Sequence, residues 1–91
     1  MNSFHNRLSL LELLSDGKPR YMGELTDCLR PSISTTNIYQ CLKLARAEGL
    51  VSESPGPSAG VNPRHYFFIL PKGRKYLALM QKFVKEVEEL S

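Results

Sequence analysis

From Phe4 the chain places Leu8, Leu11 and Leu14 three and four residues apart, and Leu10 and Leu13 widen the stripe. That spacing gives a helix one apolar face. Ser3 is placed to cap this first helix, and Gly17, just past Ser15, to end it. Lys18 and Pro19 follow as a turn, and Arg20 to Met22 reads as an extended segment able to add one small strand. A second, short helix fits Gly23 to Leu29, with Leu25, Cys28 and Leu29 inward. Pro31 forbids its continuation, because proline lacks the amide proton and crowds the preceding turn. The third helix is marked at both ends, by Ser34 as N-cap and by Gly49 as a left-handed stop. Ile38, Cys41, Leu42 and Ala45 fall on its inner face.

After Gly49 the pattern changes to a period of two. Leu50 to Glu53 reads as a strand, Pro55 to Pro63 as a proline- and glycine-rich loop, and His65 to Leu70 as a second strand. Phe67 and Ile69 then face one way, Tyr66 and Phe68 the other, so both faces of that strand are apolar. Pro71 suits the first turn of a last helix reaching about Leu90, which at 1.5 Å per residue is ~30 Å long. Its apolar positions are Leu77, Met80, Val84 and Val87, flanked by Tyr76, Phe83 and Leu90. A small domain with nothing downstream cannot cover so many, which predicts a dimer seam on these residues. The competing reading folds the helix back onto Phe4, Leu8 and Leu11 of its own chain. The expected fold is α+β, mostly α: a winged helix-turn-helix over residues 1–70, with a three-helix core and a two-stranded wing, then a C-terminal dimerisation helix over 71–91.

Composition narrows this picture. The 91 residues, 42% of them apolar, suffice for one domain of modest stability. Cys28 and Cys41 have no CxxC partner or histidine at metal-ligand spacing and read as small core residues, so no metal or cofactor is expected. No signal peptide or membrane span is visible, and unsignalled free thiols suit the cytoplasm. The net charge of +3 is mild, but its distribution is uneven. Ser54 to Lys75 holds Arg64, Lys72, Arg74 and Lys75 without an acid, whereas Glu86, Glu88 and Glu89 crowd the end. A basic pole of this kind suits an anionic partner.

The outer face of the third helix shows Thr35, Thr36, Tyr39, Gln40, Lys43 and Arg46, with no acid before Glu48. Ordinary solvated faces carry such residues too, but more often mixed with glutamates. Together with Ser34 at the helix start, this face reads as a recognition helix for the major groove of double-stranded DNA. There glutamine can pair with adenine, a threonine methyl can meet thymine, and lysine can reach guanine or phosphate. Arg64 and His65 read as a wing base on the minor groove or backbone, or else as the polar start of a strand. Arg20 and Arg30 are weaker phosphate candidates. With only His5 and His65 as histidines, no nucleophile–base pairing and no phosphate loop after a strand, an enzyme is not expected.

The run Ile38, Tyr39, Gln40, Cys41, Leu42, then Gly49, Leu50, Val51, then Arg64, Phe67, Ile69, Lys72, Gly73, Arg74 resembles the PadR-like transcriptional regulators. In that family a valine–tyrosine pair opens the recognition helix, a glycine–leucine–valine leads into the wing, and a threonine-x-x-glycine-arginine starts the dimerisation helix. The chain departs from the pattern at Ala45 and Arg46, where leucine–glutamate is usual, at Leu70, where threonine is, and at Gly23, where an aromatic is. MarR-like and ArsR-like regulators share the generic scaffold. The resemblance implies a homodimeric, sequence-specific transcriptional regulator, a repressor in the first instance. Two other readings stay open: a winged helix used as a protein-interaction module, motivated by the two-faced strand Tyr66 to Leu70, and a sensor holding a small aromatic or cationic effector near Tyr76 and Phe83.

Overall fold

The structure, a computed structural model, describes residues 3–57, 60 and 63–90. Its elements are α1 (Ser3–Leu14), β1 (Arg20–Tyr21), α2 (Met22–Leu29), α3 (Thr35–Ala47), β2 (Val51–Gly56), β3 (Arg64–Ile69) and α4 (Pro71–Glu89). The strands form one antiparallel sheet in the order β1-β3-β2. The fold is therefore the expected one, mostly helical, with a hairpin as its wing.

The local chemistry that was expected to end the helices does so. Ser34 Oγ accepts the Asn37 amide at 3.2 Å. At the other end of α3, Gly49 takes φ 78°. Its N–H donates to the Arg46 carbonyl at 3.1 Å while Leu50 N–H donates to that of Ala45 at 2.9 Å. This six-residue closure needs a left-handed residue, which glycine supplies without a Cβ clash. Leu50, now buried, leads straight into β2. Some boundaries move. Met22 opens α2 instead of ending the strand, and the expected cap by the Ser3 side chain lies outside what is described. β2 also runs through Pro55 and Gly56, expected in the loop. It is an edge strand, where a residue without an N–H forfeits no ladder bond on its open side.

Leu10, Leu11 and Leu14 of α1 meet Leu25, Ile38 and Leu42 in the core, and Val51 and Ile69 cover it from the sheet. Cys41 is buried as expected, and burial pushes its thiol pKa up. Cys28 is exposed, which corrects its expected inward position. On the short α2, Leu25 is the buried residue and Leu29 packs partly against the core, so the stripe passes Cys28 by.

The last helix divides in two. Leu77 and Met80, expected on a dimer seam, close the chain's own core together with Gly73, and Tyr76 is half-buried beside them. The α1 helix thus covers the first half of α4, as the fold-back reading expected. Beyond Met80 the contact with α1 thins to Gln81 on Glu12 and the edge of Phe83 on Phe4, and Phe83, Val87 and Leu90 are exposed and Val84 half-buried. Leu79, not foreseen as part of the seam, is exposed as well. Among the described residues no helix is long and apolar enough to cross a membrane, and no cluster suits a metal ion.

Candidate nucleic-acid interface

α3 and the wing stand beside one another and enclose a groove of about 970 Å³. Tyr39, Lys43 and Arg46 line it from the helix, Arg64 and His65 from β3, and Tyr21 from β1. Thr35, Thr36 and Gln40 are exposed on α3 but do not line the groove. Ser34 is committed to the helix cap. The sequence thus places the expected polar face of α3 outward along its length, and the groove gathers the part from Tyr39 onward against the wing.

The cations here are held in different ways. Lys43 is in no ion pair among the described residues. Arg46 Nη1 donates to Glu53 Oε1 at 2.8 Å, and the other oxygen of Glu53 lies 3.5 Å from His65 Nδ1. Glu53 pairs with Phe67 across the hairpin, so His65 is its diagonal neighbour on one face of the sheet. Arg64 lies over the Tyr21 ring, 4.1 Å from its centroid, by the same diagonal logic, because Tyr21 pairs with Tyr66. Tyr66 closes the arrangement. Its ring meets that of Tyr21 edge-on at 5.7 Å, and its hydroxyl donates to the Pro57 carbonyl at 2.7 Å.

Glu53 and Tyr21 are the residues that sequence reasoning missed. The signal for both was register: once β3 is paired with β1 and β2, each lies one diagonal step from a wing cation. Neither alignment follows from periodicity within a single segment. The weaker candidates fall elsewhere. Arg20 pairs with Asp16 at 2.8 Å, Arg30 is exposed, and Arg74 donates to the Ser15 carbonyl at 2.9 Å at the end of α1. The backbone amide of Lys18 and then Arg20 hold the Asp16 carboxyl below its ordinary pKa.

Away from the groove, Arg7 ties three helices together. It donates to both carboxylate oxygens of Glu48, at 3.1 and 2.9 Å, and to the Tyr76 hydroxyl at 2.9 Å. A small cleft of about 210 Å³ beside it is lined by Phe4, Arg7, Tyr76 and Met80. Phe83 closes on Phe4 at 5.7 Å, ring edge to face.

Three helices, a three-stranded sheet whose hairpin is the wing, and a following long helix define the winged helix-turn-helix class. The same fold occurs in a PadR-like transcription factor from Bacteroides fragilis, at TM-score 0.83 and 22% identity over 99% of this chain and 89% of that one. It occurs in a PadR-like transcriptional regulator from Bacillus cereus, at TM-score 0.74 and 20% identity over 92% of this chain and 84% of that one. A more distant likeness is to MarR from Staphylococcus aureus, described in complex with salicylate and kanamycin, at TM-score 0.66 and 15% identity over 92% and 53% of the two chains. No protein-family model matches the sequence, and no curated protein matches it. At these identities the likeness is one of fold.

Proposed function

We propose that this chain is a PadR-like transcriptional regulator, a repressor in the first instance, that binds a specific double-stranded DNA site as a homodimer in the cytoplasm. The observation that carries the reading is the outer surface of α3 and the wing. It presents Thr35, Thr36, Gln40 and Lys43 in the open, with Arg46, Arg64 and His65 beside them and Glu53 as the groove's acid, already paired. α3 enters the major groove through its exposed face, where Gln40 and the threonines read base edges and Lys43 reaches guanine or phosphate. Arg64 and the wing rest on the adjacent backbone or minor groove.

The dimer half of the proposal rests on the exposed end of α4. Leu79, Phe83, Val87 and Leu90 present an apolar strip, and Leu90 is 87% exposed. A second copy of the same helix is the occupant that a self-complementary strip suits. Two-fold pairing then sets the reading helices about one helical turn of DNA apart, ~34 Å.

The interaction-module reading drew on the second apolar face of β3, where Tyr66 is engaged by Tyr21 and Pro57 and Phe68 is half-buried, which supports the DNA reading over it. The test of the DNA reading is a salt titration of duplex binding. Native affinity falls linearly with log salt, and Arg64→Ala lowers the magnitude of that slope by about 0.9, the share of one phosphate contact. Gln40→Ala leaves the slope on random duplex unchanged, because glutamine carries no charge. An absence of native binding at low salt overturns the reading.

A further inference from the structure

We propose that Tyr21 is the positioning residue for Arg64, and that Gly23 is the space in which its ring does so; the inference rests on the DNA reading above. Tyr21 sits where β1 passes into α2, and its backbone is fixed on two sides. It pairs with Tyr66 in the sheet, and its N–H donates to the Glu24 carboxylate at 3.1 Å. The ring is fixed as well. Tyr66 stands against it edge-on, at an interplanar angle of 76°, and Arg64 lies over it with 4.1 Å between guanidinium carbon and ring centroid.

Two glycines make room for this stack. A Cβ at Gly23 would come within 2.8 Å of Tyr21 Cε2, and one at Gly56 within 2.6 Å of Tyr66 Cδ1. Any larger residue at 23 therefore pushes the Tyr21 ring off its place. Gly23 is also the position at which the chain departs from the aromatic of the pattern it resembles.

A guanidinium held over a ring turns one side to the aromatic and keeps N–H donors for a phosphate oxygen. An arginine held over a ring has already given up part of its rotamer freedom. Less is then lost when it takes up a phosphate. Tyr21 thus acts on DNA through Arg64 without touching it.

The experiment measures the affinity of the full chain for a random-sequence duplex across a KCl series, with thermal unfolding of every variant alongside. The variants are Tyr21→Phe, Tyr21→Leu, Gly23→Ala, Arg64→Ala and the double variant Tyr21→Leu with Arg64→Ala. Tyr21→Phe keeps the ring and binds as native. Tyr21→Leu and Gly23→Ala each weaken binding by about threefold, the share of the side-chain ordering that an unheld arginine must undergo on binding. Gly23→Ala gains helix propensity and loses the contacts of the displaced ring, so its unfolding temperature stays close to native while it binds more weakly. The double variant binds no more weakly than Arg64→Ala alone.

Native-like binding by both Tyr21→Leu and Gly23→Ala overturns the inference and leaves the DNA reading standing. So does a loss from Tyr21→Leu that persists in full in the Arg64→Ala background. A native protein without salt-dependent duplex binding overturns the DNA reading, and this inference with it.

Discussion

Arg46 and Arg64 flank the same groove, yet one is held by a carboxylate and the other by an aromatic ring. On the proposed reading the difference has opposite consequences for DNA. A phosphate approaching Arg46 competes with Glu53, and an approaching phosphate also meets the negative charge of Glu53 itself. The pair is partly exposed, so its contribution to stability is small, at most about 1 kcal/mol. Glu53→Gln is therefore expected to leave the fold intact, to tighten duplex binding and to steepen its salt dependence by up to ~0.9 in slope. Arg64→Ala moves the slope the other way. Fluorescence anisotropy over a KCl series checks both, and an unchanged slope in Glu53→Gln contradicts a role for Arg46 at phosphate. Individual residues in this site were legible in the sequence where one helix face displays them, as with Thr35, Thr36, Tyr39, Gln40 and Lys43. They were not legible where a partner arrives from another strand. The pairing of Glu53 with Arg46, and of Tyr21 with Arg64, exists only after three separate segments have met.

The elements divide in the same way. α3 was readable to its ends because its stop signals are local: a serine hydroxyl taking the Asn37 amide, and a left-handed glycine returning the chain to Ala45. The last helix was readable as a helix, but its faces were not. Period alone marks Leu77, Met80, Val84 and Val87 as a stripe and does not say that α1 covers the first two. The covering depends on how α4 leaves the wing, and Gly73 decides that. A Cβ there would collide with the Leu50 carbonyl oxygen and lie 2.8 Å from Ile69 Cγ1, so α4 can approach the α3–β2 turn only through a glycine. Leu50 N–H is already bound to Ala45, and its carbonyl accepts the Leu70 amide at 2.9 Å, which leaves the backbone no freedom to yield. Gly73→Ala is expected to cost roughly 1–3 kcal/mol, as overpacking of a closed interior does. Urea denaturation monitored by circular dichroism checks this, and a native-like midpoint contradicts it.

At the scale of the molecule, a helix that packs on its own core for half its length and then carries mostly exposed residues sets the shape. The molecule measures 52 × 28 × 21 Å. Arg7 joins α1 to the C-terminal end of α3 through Glu48 and to α4 through Tyr76, so the last helix and the reading helix are braced against the same guanidinium. In the proposed dimer, that brace carries the geometry of the α4 seam to the spacing of the two reading helices. The central claim is therefore a two-fold one, and hydroxyl-radical footprinting on a duplex selected from a random library tests it most directly, with native protein and Phe83→Glu side by side. The account predicts two protected segments related by a dyad and about one helical turn apart, ~34 Å, for native protein. A charge at Phe83 in the apolar seam is expected to abolish the paired pattern. A single protected segment without symmetry, or the same footprint from both proteins, would contradict it.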